Sequence, residues 1–482
     1  MLTSRVFALG CCLTLAACTR STDLGGESTT GDSSSPEAGS AGTSAGGMAG
    51  TSSGIGGLNI TPDMPGEGGE RALPDCVSCR WTSCPDGKHT TVSGTVRTPA
   101  KLNADPLYNA VVYVPGADIE PFSDTVSCDR CGNVSGKPLA AALSSSDGTF
   151  TLDDVPAGLG VPLVLQMGRW RRQVVMPDIV ECQDNPLPAD LTRFPRNRSE
   201  GDIPRMALVT SPYDPEECIL RKIGIDDAEF TTPSELGRIH VFQGGGAVGG
   251  PATPSGSALW SDATTLQRYD MVLLPCGSAP EYLALGLPDE TDDAAARSAL
   301  AGYADAGGRV FATDLSFSWM TGQGSPFGST AQWVDDPLVD DAQASLPSEV
   351  DTTFPKGQAL AEWLQGIGAT PTAGQITLHE TFRRSLAVNA PTQRWLFSNE
   401  PNSLQSFTFN TPLTAAAEQQ CGRFAYSSFH IAGSTGSGDT FPAECDDAPL
   451  TPQERVLEFM LFDLASCVQI DTGKPKPPVV VK

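Results

Sequence analysis

Near Asp202 the apolar pattern of this chain changes period, and the change dictates two different architectures for its folded parts. Upstream, Thr91-Val92-Ser93-Gly94-Thr95-Val96 alternates, and residues 109–115 form a second apolar run. Residues 142–146 and 149–152 flank Asp147-Gly148, a strong hairpin signal, and the runs 161–166 and 173–176 follow after further turn residues. Period-two runs bounded by turns predict an all-β sandwich over residues 75–195. Downstream, apolar runs at 206–209, 238–242, 270–274 and 309–313 are interleaved with helical patterns at 215–223 and 293–306, and a wide apolar helix face covers 452–466. Short, wholly apolar strands separated by helices imply a parallel sheet covered on both faces. The expected fold class is therefore multi-domain: a β-sandwich, then an α/β domain over 203–470 with a mostly parallel sheet, then an exposed tail at 471–482.

The N-terminus carries Arg5 and a short apolar run at 6–15, too short to cross ~30 Å of hydrocarbon, so it reads as a secretory signal and not an anchor helix. Leu15-Ala16-Ala17-Cys18 resembles the lipobox of bacterial lipoproteins. That resemblance implies removal of residues 1–17 and lipidation of Cys18. Thr19 in place of Asp implies, by the same resemblance, sorting to the outer membrane or cell surface. Residues 19–57 hold 11 Gly, 9 Ser, 6 Thr and 4 Ala, too little apolar surface to offset ordering, so residues 18–74 read as a low-complexity tether. Its root-mean-square reach is about 40 Å.

Setting aside Cys11 and Cys12 with the signal and Cys18 with the lipid, eleven of the fourteen cysteines remain. In an exported chain most of these are expected in disulfides, with at least one thiol left over. The disulfide candidates are Cys76, Cys79, Cys84, Cys128, Cys131, Cys182, Cys218, Cys421, Cys445 and Cys467. Cys421 and Cys445 bracket a Gly/Ser-rich excursion and are expected to pair locally. Cys76-x-x-Cys79 and Cys128-x-x-Cys131 also have zinc-ribbon spacing, but export shifts the reading to disulfides. Cys276 reads as a disulfide partner or a buried thiol.

Two further resemblances bear on function. Val92-x-Gly94-x-Val96, Asn109-Ala110-x-Val112-x-Val114, Ser146-Asp147-Gly148-x-Phe150 and Val155-Pro156-x-Gly158 follow one another as in the carboxypeptidase-regulatory-like, transthyretin-related modules. In that family the module is a non-catalytic accessory. Tyr269-Asp270-Met271-Val272-Leu273-Leu274-Pro275-Cys276-Gly277, then residues 300–311 and Gly422 to His430, resemble the class I glutamine-amidotransferase-like superfamily, which implies a flavodoxin/amidotransferase-like sheet. There the chemistry is done by a cysteine on a tight strand-to-helix turn, a histidine and a glutamate. The cysteine position falls on Asp314, with no Gly-x-Cys-x-Gly elbow, and the position two after His430 is Ala432. Only the histidine is matched. Asp314, Ser316 and His430 remain as candidates for a remodelled hydrolytic site, set against a plainer reading in which Asp314 caps a loop and His430 is structural.

The balance of 31 basic against 57 acidic residues, a net −26, repels phosphate backbones, so nucleic acid is excluded as a partner class. Gly244-Gly245-Gly246-Ala247-Val248-Gly249 follows a strand, but Pro251 and Pro254 come where a dinucleotide-binding helix would begin. His89, His240, His379 and His430 lack paired spacing, so no metal or cofactor is expected. Arg169-Trp170-Arg171-Arg172 reads either as a turn with snorkelling arginines or as a cationic, aromatic surface for an anionic glycan. The sequence thus leads to a lipid-anchored envelope protein with a non-catalytic binding or scaffolding role. Its membrane contact would be the lipid alone, and its partner an envelope protein or glycan. The alternative is an envelope hydrolase acting on a glycan or small polar substrate at the strand carboxyl ends.

Overall fold

Alternation produces strands in the first half. Seven of them, β1 (Thr91–Thr95), β2 (Val111–Pro115), β3 (Pro138–Leu143), β4 (Thr149–Leu152), β5 (Pro162–Met167), β6 (Trp170–Val175) and β7 (Asp184–Pro186), form sheets ordered β4-β1-β7 and β3-β2-β5-β6. In β4, Phe150 and Leu152 are buried while Thr149 and Thr151 face solvent. The structure, a computed structural model, describes residues 76–131, 134–244, 246, 248–278, 292–335, 342–431 and 440–481. The signal segment 1–17, the lipidation site Cys18 and the tether to residue 74 lie outside the described residues.

Two local expectations are corrected in the sandwich. Asp147-Gly148 does turn the chain, with Gly148 at φ +75° and its N–H donating to Ser145 O at 2.9 Å. Yet β3 pairs with β2 and β4 with β1, so the turn crosses between sheets and is no hairpin. The Val96 N–H donates to Gly148 O (2.8 Å), which ties the turn to the end of β1. Residues 168–169 turn the chain into β6 as expected, but the arginines of 169–172 are buried and form no cationic surface. Trp170 is 2% exposed, and Arg169 pairs with Asp129 (3.2 Å) and Asp270 (2.7 Å), while Arg171 pairs with Asp202 (2.8 Å). These acids arrive from three separate parts of the chain.

In the second half, β8 (Met206–Val209), β10 (Ile239–Phe242), β11 (Met271–Leu274), β12 (Arg309–Thr313) and β19 (Gly422–Ser427) are buried at every position, as a doubly covered sheet requires. With β9 (Phe230–Thr231) they run parallel in the order β19-β12-β11-β8-β10-β9. The sheet is mixed. Antiparallel strands β18 (Asn402–Thr411), β17 (Gln393–Asn399), β14 (Leu346–Val350) and β15 (Gln375–Leu378) extend it beyond β19, and β16 (Ser385–Val388) bridges β18 to β13 (Ala331–Trp333).

Among the described residues, four helices of seven residues or more accompany the sheet: α1 (Glu216–Lys222), α2 (Asp292–Asp305), α3 (Pro355–Gly366) and α4 (Pro452–Ala465). Helix α4 opens with a capping box, in which Thr451 Oγ1 accepts the Glu454 N–H (3.2 Å) and the Glu454 carboxylate accepts the Thr451 N–H (2.7 Å). Its apolar face covers β12 and β19 as the pattern predicts. The other side also finds partners, because Phe459 stacks on Tyr108 (5.9 Å between centroids) and Phe462 meets Trp170 (5.6 Å). Sandwich and sheet therefore share one buried core through α4.

The disulfides tie the same parts together. Cys76–Cys79 and Cys84–Cys182 lie in the sandwich region, Cys218–Cys445 joins α1 to the segment before α4, and Cys128–Cys421 and Cys131–Cys467 cross between the halves. The local Cys421–Cys445 bridge does not form. The segment holding Cys128 lies over the second half, where the Val126 N–H donates to Gln267 O (2.8 Å), and this brings Cys128 to Cys421. All four cysteines of the two zinc-ribbon pairs are consumed as disulfides, and the buried Cys276 joins none. Five disulfides suit an oxidising, exported setting. Among the described residues no helix is long and apolar enough to cross a membrane. The tail is not free over its whole length: Asp471 is buried in ion pairs with Arg423 (2.9 Å) and Lys356 (3.3 Å), and the Val481 N–H donates to Pro138 O (2.8 Å).

Candidate functional site

Parallel strands bring their carboxyl ends to one edge, and in open α/β sheets ligands bind beyond that edge. Here β8, β11, β12 and β19 deliver Ser211 and Asp214, Cys276, Asp314, and His430 respectively. The Ser211 hydroxyl donates to Cys276 O (2.5 Å), the Cys276 N–H to Thr313 Oγ1 (2.9 Å), and the Thr313 hydroxyl to the Asp214 carboxylate. The second Asp214 oxygen accepts the Ile431 N–H (2.9 Å). Four loops are thereby stitched into one buried surface.

Asp314 is the centre of that surface. It is the first residue after β12 and adopts φ +37°, a region L-residues rarely occupy, at a sharp turn from strand into a 3-10 helix. Thr313, the residue before it, makes no side-chain cap on that helix. One Asp314 carboxylate oxygen accepts from Arg384 Nε at 2.6 Å, and the other lies 3.1 Å from His430 Nε2 and 3.3 Å from Cys276 Sγ. The Tyr426 hydroxyl donates to Asp314 O (2.9 Å). Burial alone would raise the Asp314 carboxyl, but the Arg384 guanidinium and His430 outweigh it and hold it at about 2. Ser316 does not join the pair. Its hydroxyl donates to Pro275 O (2.7 Å) and lies 3.0 Å from Ser278 Oγ.

Asp314, Cys276 and Ser316 are each 0% exposed and His430 is 5% exposed. The arrangement lacks the order of a nucleophilic triad, in which the base lies between nucleophile and acid, because here the carboxylate stands between thiol and imidazole. It can hold a fixed negative charge, accept protons from its neighbours, or bind a cation.

No protein-family model matches this sequence, and no curated protein sequence matches it. Among solved structures, a cytoplasmic protein of Salmonella typhimurium is 12% identical over 54% of this chain and 98% of its own, with a TM-score of 0.27. A ThuA-like protein of Bacteroides uniformis is 11% identical over 54% of this chain and 91% of its own, also at 0.27. A chain from a type II cohesin–X-dockerin complex of Acetivibrio cellulolyticus is 16% identical over 30% of this chain and 75% of its own, at 0.14. Likenesses this distant carry no argument about chemistry.

Sequence reasoning placed Asp314 and His430 at one sheet edge but missed Arg384. That residue lies on an irregular loop just before β16, where no periodicity marks it, and only the tertiary fold shows that a buried arginine neutralises Asp314. It also missed the acids on α1. Glu216 and Glu217 are buried, and none of their four carboxylate oxygens has a hydrogen-bond partner. Burial first, then Glu444 and Asp214, pushes Glu217 from 4.5 to about 8. Between those values the folded state keeps a proton that the unfolded chain has lost, so stability falls as pH rises across that window. Glu217→Gln is expected to lessen this slope, with Glu216 still contributing, and to gain about 1–3 kcal/mol near pH 8 relative to pH 5, read by denaturant unfolding at both values. An unchanged slope would show that Glu217 is ionised at neutral pH.

Proposed function

We propose that this is a lipid-anchored envelope protein whose α/β domain binds a partner and does not turn over a substrate. The supporting observation is the closure of Asp314: it occupies the elbow at which a nucleophile would stand, yet it is fully buried and both its oxygens are engaged. A carboxylate neutralised by a buried arginine has no free face for attack on a carbonyl or glycosidic carbon. Cys18 carries the anchor in this reading, and the tether sets the folded part off the membrane. Its face, outer membrane or cell surface, follows the Thr19 sorting rule. Metabolic labelling with a palmitate analogue is expected to mark the wild-type chain and to disappear in Cys18→Ala; labelling that survives that change removes the anchor.

The hydrolase reading keeps one observation in its favour, the positive φ of Asp314 with His430 3.1 Å away. The full chain carrying Cys18→Ala, incubated with chromogenic ester, amide and glycoside substrates, is expected to show no rate above buffer. It is expected to bind saturably to isolated envelope polysaccharide or to an envelope protein fraction. Turnover that disappears in His430→Ala would replace the binding reading with the hydrolase.

A further inference from the structure

Cys276, Asp314 and His430 come from the ends of three different strands, yet their ligand atoms all lie within 4.8 Å of one another. The thiol sulfur lies 3.3 Å from one carboxylate oxygen, and the imidazole nitrogen lies 3.1 Å from the same oxygen. Tetrahedral zinc, with Zn–S of about 2.3 Å and Zn–N and Zn–O of about 2.0 Å, puts its ligand atoms about 3.3–3.5 Å apart. Two edges of such a polyhedron are thus already nearly spanned, and the third lies within 4.8 Å. We propose that Cys276, Asp314 and His430 form a binding site for a zinc-type divalent cation.

The surroundings are those of a supported metal site. Arg384 holds one Asp314 oxygen and thereby fixes the other toward Cys276 and His430. Cys276 is pinned through its N–H to Thr313, Asp314 through its carbonyl to Tyr426, and His430 through its carbonyl to Gln453 Nε2 (2.5 Å). Outer-shell partners of this kind orient ligands before the metal arrives. One thiol, one imidazole and one carboxylate form a borderline-soft set that suits zinc over magnesium or calcium. Binding breaks the S–H bond of Cys276, forms a metal–thiolate bond and releases that proton to solvent, and the Nε2–H of His430 that faces Asp314 also gives way, leaving a neutral imidazole protonated on Nδ1 and bound through Nε2.

The proposal does not rest on the binding reading above, since a loaded site without turnover leaves that reading intact. The test uses the full chain, kept oxidised, stripped with chelator and titrated with Zn2+ and separately with Co2+. One metal per chain is expected, with proton release and, for cobalt, a thiolate-to-metal charge-transfer band. Cys276→Ser and His430→Gln are each expected to weaken zinc by more than the roughly 10–100-fold that loss of an outer-shell partner costs. Wild type that takes up no metal, or a cobalt complex without the thiolate band, overturns the proposal without recourse to any variant. Zinc binding that Cys276→Ser leaves intact overturns it equally.

Discussion

Asp314→Ala is expected to lower the free energy of unfolding by about 3–5 kcal/mol, the cost of stripping a buried ion of its partner. Arg384 is 1% exposed and its Nε lies 2.6 Å from the Asp314 carboxylate, so the alanine leaves a guanidinium in the interior beside the hole. Asp314→Asn keeps the shape and tolerates positive φ, so it is expected to cost less than alanine. The double variant Asp314→Ala with Arg384→Met is expected to recover much of the loss, because replacing both members of a buried pair by apolar groups is often neutral. Denaturant midpoints for the wild type, Asp314→Ala, Arg384→Met and the double variant form a double-mutant cycle, and a cost of Asp314→Ala under about 1 kcal/mol would remove Asp314 as the keystone of the sheet edge. The pH behaviour follows with a definite sign. The folded carboxyl sits at about 2 against an ordinary 3.8, so its contribution is complete above 3.8 and is lost as pH falls through about 2.

The second large effect concerns the crossing disulfides. Cys128–Cys421 closes 293 residues of separation and Cys131–Cys467 closes 336, loops long enough that losing a disulfide costs about 3–5 kcal/mol. The two are not independent. With either bond intact, the other closes only the short stretches from Cys128 to Cys131 and from Cys421 to Cys467, so its loss costs less than the logarithm of its own loop suggests. Removing the first is therefore expected to cost about 1–2 kcal/mol less than removing the second from the already reduced chain. Paired Cys→Ala variants, made singly and together and compared by chemical denaturation under non-reducing conditions, read the difference. Strictly additive losses would show that the two bonds constrain separate loops in the unfolded chain.

The two resemblances and the change of period carried the architecture because each rests on local pattern: alternation makes β4, and wholly apolar runs make β8, β11 and β12. What stayed hidden is long-range. The antiparallel extension beyond β19 is built from runs such as Gln405-Ser406-Phe407-Thr408-Phe409, whose pairing partners are set by tertiary context. The Asp-Gly turn signalled a change of direction correctly, but local sequence does not say which sheet receives the next strand. Cysteine identity gave the probable bonded set and failed on connectivity, since Cys421 finds Cys128 only when the segment around Val126 has reached the second half. In the site, Asp314 and His430 were visible as strand-end residues, whereas Arg384 and the orphaned carboxyls of Glu216 and Glu217 were not, because burial of a charge is a property of the assembled fold.

Helix α4 makes the two halves depend on one another. Phe459 meets Tyr108 and Phe462 meets Trp170, so the helix fills the space between sandwich and sheet, and Cys467 just beyond it is bonded to Cys131. Neither half closes its core without that helix, so a change that loosens it is felt in both.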